Sequence, residues 1–133
     1  MASALSDLGD MSLRQGKYEQ AIGYLRQAIL LFRQSGYQHG ESVTLRRLAE
    51  ALRACGQPAE ALDQLTTALR LAAETGNVYE QANAHRDLAS SHSAAGQDEQ
   101  ARHHWQQALA LYTQLGAPEA GQICSHLAAA SPG

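Results

Sequence analysis

Residues 45–76 read LRRLAEALRACGQPAEALDQLTTALRLAAETG. Leu45, Leu48, Ala49 and Leu52 recur at i, i+3, i+4 and i+7, which sets them along one side of a helix. Gly56 interrupts that pattern. Pro58 suits the first turn of a second helix, where the N–H that proline lacks would have no partner anyway. Ala61, Leu62, Leu65, Ala68, Leu69 and Ala72 form a second apolar stripe. Gly76 closes it, since glycine readily takes the left-handed conformation that follows a helix. The stretch is therefore a helical hairpin.

Working outward, the hairpin recurs. Gly16, Gly56 and Gly96 stand 40 residues apart, and so do Gly36, Gly76 and Gly116. Ala21, Ala61 and Ala101 keep the same phase, as do Ala28, Ala68 and Ala108. Ile29, Leu69 and Leu109 keep it too, and so do Leu31, Leu71 and Leu111. A fixed period of this length is the signature of a stacked array of like units. The pattern predicts helices near 2–14, 18–35, 41–54, 58–75, 79–94, 98–115 and 118–129, the last opened by Pro118. No stretch alternates at period 2, so no strand is expected. Ala21, Ala61 and Ala101 fall where two helices must approach closely. One pair cannot bury both of its stripes, so neighbouring pairs must cover them. The expected organisation is a single domain over 1–130, with repeats about 1–40, 41–80 and 81–117 and a capping helix over 118–129. Gly121, Gln122, Ser125 and His126 give that cap a weakly polar outer face, and 131–133 reads as a frayed tail.

The repeated residues resemble the tetratricopeptide repeat family. Leu8-Gly9, Leu48-Ala49 and Leu88-Ala89 take the place of its Leu-Gly or Leu-Ala pair. Gly16, Ala21 and Ala28 follow the first pair. Gly56, Ala61 and Ala68 follow the second, and Gly96, Ala101 and Ala108 the third. The aromatic positions depart from the family pattern: Leu5, Leu45 and His85 at the first, Ser12, Leu52 and His92 at the next. The family's usual unit is about 34 residues. The longer unit here is similar to the variety found in kinesin light chains and many bacterial regulators. The resemblance implies an all-α, right-handed α-solenoid of three helix pairs plus a C-terminal capping helix. Residues 108–120, ALALYTQLGAPEA, also resemble the C-terminal array of actinobacterial transcriptional regulators of the antibiotic regulatory protein and NTPase-bearing types.

Composition narrows the function. Ten Lys and Arg against 13 Asp and Glu leave a net charge of −3, which excludes a strongly basic nucleic-acid module. No apolar run approaches the roughly 18 residues that cross a membrane. The segment Met1-Ala2-Ser3-Ala4-Leu5 lacks the basic-then-apolar order of a signal peptide. Cys55 and Cys124 make no disulfide framework, which suits a reducing cytoplasm. Neither lies in a C-x-x-C, and both read as small, apolar-like residues. No P-loop, G-x-G-x-x-G or G-x-S-x-G is present. Asp98-Glu99 is a carboxylate pair at a helix start, where it favours the helix dipole. No enzyme, cofactor or metal is expected. His85 and His92 are seven apart, not the i, i+4 spacing of a helical zinc site, and they stand at core aromatic positions. His103-His104 reads as solvated helix surface.

Charge is unevenly placed. Residues 14–53 carry Arg14, Lys17, Arg26, Arg33, Arg46, Arg47 and Arg53 against Glu19, Glu41 and Glu50. The resemblance places the first helix of each pair along a concave groove. Val43, Arg46, Glu50 and Arg53 share the side opposite Leu45, Leu48 and Leu52. Their third-pair equivalents are Asn83, Arg86, Ser90 and Ser93; the first-pair set is Ser3, Ser6, Asp10 and Leu13. Arg46, Arg53 and Arg86 suit bidentate bonds to carboxylates, and Asn83 suits a peptide backbone. The family's Lys/Asn clamp for chaperone C-termini does not carry over, because Arg46 and Arg86 replace part of it and Glu50 opposes it.

The expected function is non-catalytic protein–protein interaction, as the partner-sensing C-terminal arm of a bacterial transcriptional regulator. The partner is a protein or peptide segment, acidic in character, with no direct nucleic-acid or membrane contact by this fragment. The alternatives are a stand-alone adaptor or a homodimerisation module pairing through Leu5, Leu8 and Met11. Arg46→Glu with Arg86→Glu is expected to leave folding nearly unaffected, since neither lies on an apolar stripe.

Overall fold

A computed structural model describes residues 1–130. The expected fraying of Ser131-Pro132-Gly133 concerns residues outside this range. Among the described residues the chain is seven helices and no strand: α1 Ala2–Arg14, α2 Tyr18–Ser35, α3 Gln38–Ala54, α4 Pro58–Thr75, α5 Val78–Ala94, α6 Asp98–Leu115 and α7 Glu119–Ala130. α1 packs on α2, α3 on α4 and α5 on α6, and each pair packs on the next. α7 covers α6.

The glycines set the turns. Gly36, Gly76 and Gly116 end α2, α4 and α6 at φ 74°, 69° and 67°. A side chain is strained in that left-handed region. The following N–H reaches back into the last turn, as from Tyr37 to the Phe32 carbonyl at 3.0 Å. Among the described residues no non-glycine has positive φ. Pro58 begins α4, and Asn77 caps α5 by accepting from the Glu80 N–H at 3.0 Å.

α3 begins at Gln38, a turn before the expected residue 41. Gly40 lies within the helix. It marks a close approach: a Cβ there would lie 2.5 Å from Phe32 of α2. Gly9 does the same for α1, where a Cβ would meet Leu25 at 2.5 Å. Its counterparts Ala49 and Ala89 are buried, as are Ala21, Ala61 and Ala101. The small residues are thus contact points between helices.

Two apolar clusters fill the array. One runs from Leu13 and Leu25 through Leu45, Leu48, Leu52 and Leu65 to Leu88. The other gathers Ala82, Ala89, Trp105, Tyr112 and Ile123 under α7. Gly121, Gln122, Ser125 and His126 of α7 are exposed, and the His126 ring stacks on Trp105 at 4.4 Å. Both cysteines are free and exposed, so neither takes the apolar role expected of it. No helix among the described residues is long and apolar enough to cross a membrane.

Candidate functional site

α1, α3 and α5 line one concave side of the array. A hollow of ≈ 350 Å³ there is bounded by Asp10 and Arg14 of α1, by Val43, Arg46, Arg47, Glu50 and Arg53 of α3, and by Arg86, Asp87 and Ser91 of α5. A second hollow opens beside it, against Leu13, Arg14, Tyr18, Glu50 and Arg53. Six of the expected groove residues are brought together here: Asp10, Val43, Arg46, Glu50, Arg53 and Arg86.

Arg46 does not present its guanidinium to solvent. Its Nε and Nη2 donate to Glu80 at 3.0 and 3.3 Å, and its Nη1 donates to Asp87 at 3.0 Å. Burial alone would lower its pKa, but the facing carboxylates of Asp87 and Glu80 outweigh that and raise it. Glu80 is itself buried and accepts from Asn83 Nδ2 at 3.1 Å. Asn83 Oδ1 in turn accepts from the Tyr112 hydroxyl. This chain of bonds ties α3 to α5 and α6. Burial, more than any charge, pushes Tyr112 up to about 12.

Two expectations change accordingly. Asn83 faces the interior, so it does not reach a peptide laid in the groove. Arg46 holds α3 to α5, so reversing its charge strikes the fold as well as the groove. Arg86 turns to Asp87, its Nε at 3.4 Å from Oδ1. Ser90 and Ser93 do not line the hollow; Ser91 does, and Arg53 Nη1 donates to its hydroxyl at 3.3 Å.

Arg14, Arg47, Asp87 and Ser91 are lining residues that the sequence reading missed. Arg47 donates to Ser6 Oγ at 2.8 Å and lies 3.6 Å from Asp7. Its place next to Arg46 was the available signal: a groove where three helices meet is wider than one helical stripe. Arg53 differs from its neighbours. Among the described residues it meets no carboxylate within salt-bridge distance, and its hydrogen-bond partner is a neutral hydroxyl.

Of the expected surface pair, His103 is exposed and His104 departs from expectation. His104 is half-buried, not solvated helix surface. Its Nδ1 lies 2.9 Å from that of His85, and its ring stacks on His92 at 5.4 Å and contacts His103 edge-on at 5.3 Å. Among the described residues, no group of three or more His, Cys, Asp or Glu is arranged to hold a metal ion.

Helix pairs joined by left-handed glycines, stacked through small residues and lining a concave face, define an α-solenoid of repeated hairpins. The family model described as "Tetratricopeptide repeat" matches residues 1–74 and 40–114, and the chain belongs to that family. Comparison with curated proteins gives no match. Solved structures share the fold. The apo form of RapI superposes with a TM-score of 0.89 at 15% identity, over 97% of this chain and 36% of its own. A Rap protein complexed with competence and sporulation factor gives 0.87 at 18% identity, over 95% and 36%. A putative kinesin light chain of Podosopora anserina gives 0.81 at 21% identity, over 96% and 64%. The chain thus spans about a third of the Rap chains, and at these identities the likeness is one of fold.

Proposed function

We propose that the chain is a non-catalytic protein-interaction module whose α1–α3–α5 groove takes an extended or helical partner segment bearing acidic side chains. The carrying observation is Arg53. It stands where the two hollows meet, and its planar fork, always charged, has no carboxylate of its own. Arg14, paired with Asp10, and Arg47, set between Asp7 and Asp10, flank it. Val43 and Leu13 supply apolar contact nearby. The Rap complex with competence and sporulation factor gives a precedent for ligand binding on this fold. The likeness of residues 108–120 to actinobacterial regulators supports placing the module as the partner-sensing C-terminal arm of a bacterial transcriptional regulator, acting in the cytoplasm while other parts of that protein contact DNA.

The test is a fluorescence titration with a labelled helical peptide carrying Glu at i, i+4 and its Gln counterpart. The Glu peptide should bind more tightly, and Arg53→Glu should weaken it tenfold or more at low salt. The difference should shrink at high salt, because exposed charges are screened over about 10 Å at 0.1 M. Equal affinity for both peptides rejects the acidic partner.

A second reading, self-association through α1, rests on one comparison. Leu8 is 42% exposed and Met11 56%, whereas Leu48 and Leu88, forty and eighty residues on, are 2% and 3% exposed. In the described chain the corresponding side of α1 is exposed. Sedimentation velocity across a concentration series, with Leu8→Glu as control, tests this reading. A monomer at all concentrations removes it.

A further inference from the structure

The third helix pair holds an imidazole cluster where the second holds two leucines and two polar residues. His85 and His92 of α5 stand at the positions of Leu45 and Leu52, both fully buried, and His104 of α6 stands at that of Gln64. All four rings pack together: His85 and His104 meet Nδ1 to Nδ1 at 2.9 Å, His92 stacks on His104, and His103 contacts its edge. An Nδ1-to-Nδ1 contact at that distance needs one ring to donate and the other to accept. Two protonated rings cannot make it.

Among the described residues no carboxylate pairs with this cluster. On α5, Glu80 and Asp87 turn to Arg46, and Arg86 to Asp87. On α4, Glu60 pairs with Arg26, Glu74 pairs with Arg70, and Asp63 is exposed. On α3, Arg53 turns to Ser91. On α6, Asp98 and Glu99 are exposed in the first turn, and Arg102 adds another positive charge. On α7, Glu119 accepts from Tyr79, and His126 stacks on Trp105. Burial first, and then the charges of His85, His92 and His103, push His104 down to about 4. Burial and then His103 lower His85.

We propose that this cluster is an acid-operated release of the α5–α6 pair: at neutral pH the packed rings of His85 and His104 hold the two helices together, and mild acid favours the parted helices, in which the freed rings take up protons. The sign follows from linkage. A histidine whose folded pKa is depressed stabilises the fold above the unfolded value of roughly 6.5, and that stability is lost as pH falls from there toward the folded value. α3 and α4, which have Leu45, Leu52, Asp63 and Gln64 in place of these rings, lack the release. Because α5 carries Asp87 and Ser91 into the groove, the release also reshapes that wall, a consequence that rests on the functional reading above. The release itself stands independently of it.

The test is amide hydrogen exchange, corrected for intrinsic rates, on the whole chain at pH 7.5 and pH 5.0. Protection across α5 and α6 should fall tenfold or more at the lower pH, while α3 and α4 hold theirs. His85→Leu with His104→Gln copies the second pair and should abolish the fall. An equal change in all helices, or a fall that persists in this variant, overturns the proposal. Should the variant not fold, an NMR titration of the imidazole carbons in the parent chain decides. Apparent pKa values for His85 and His104 below those of the exposed His126 support the release, and ordinary values overturn it.

Discussion

The second and third helix pairs share one backbone and differ in what fills it. Ala61 and Ala101 hold equivalent contacts, and Gly76 and Gly116 end equivalent helices. Yet the second pair is closed by Leu45, Leu52 and Leu65, all buried. The third has His85 and His92 at the first two sites and recovers apolar volume with Trp105 at the place of Leu65 and Tyr112 at that of Ala72. It also has Glu80 where the second pair has Gly40, and so gains the polar chain from Arg46 through Asn83 to Tyr112. Small residues and turn glycines fix the register of the array. The filling between them is free to change chemistry from one repeat to the next.

The largest expected effect separates the two fillings. Leu45→Ala should cost about 2–5 kcal/mol, as for other buried leucines. His85→Ala should cost much less, since a half-buried ring removes less apolar area from water. Urea unfolding of both variants checks this, and equal losses would erase the contrast. Ala61→Leu comes next, at about 1–3 kcal/mol, because a larger side chain forces apart helices that touch there. An unchanged thermal midpoint would remove Ala61 as a contact point.

Arg46→Met sharpens the contrast at the join. It leaves the buried Glu80 without its cation, and the loss should be about 1–3 kcal/mol. Replacing Glu80 by Gln in the same chain should recover part of it. Recovery of nothing would mean that the pair does not act as a unit.

Stability against pH should show both ends of the third pair's chemistry. His104, depressed to about 4, contributes stability above roughly 6.5 that fades as pH falls toward 4. Tyr112, raised to about 12, contributes stability below roughly 10 that fades as pH rises toward 12. Urea midpoints across that range should trace a plateau with two falling sides, and Tyr112→Phe should flatten the alkaline one. The smallest effect belongs to the exposed Arg26–Glu60 pair: Arg26→Ala should shift stability by under about 0.5 kcal/mol. A larger shift would show α2 and α4 to be coupled directly.

The order of helices and their turns was legible because both depend on neighbours in the chain. Apolar spacing of three and four residues selects a helix side, and a glycine with positive φ ends the helix wherever it stands. The start of α3, three residues before the expected 41, was not legible for a related reason. Gly40 in its first turn is set by Phe32 across the helix interface, which no neighbour in the chain announces.

The sequence by itself determined the all-helical array, its period, the contact alanines and the charge excess of residues 14–53. Tertiary structure alone decided which arginines are available. Arg46 and Arg53 stand on one helical side and are alike in sequence, but Glu80 and Asp87, 34 and 41 residues beyond Arg46, neutralise one and leave the other facing a hydroxyl. His104 likewise gained its buried place from His85, 19 residues away. A side chain's partners across the stack depend on how one pair sits against the next. That placement is the sum of many weak packing contacts, and no short stretch of the chain encodes it.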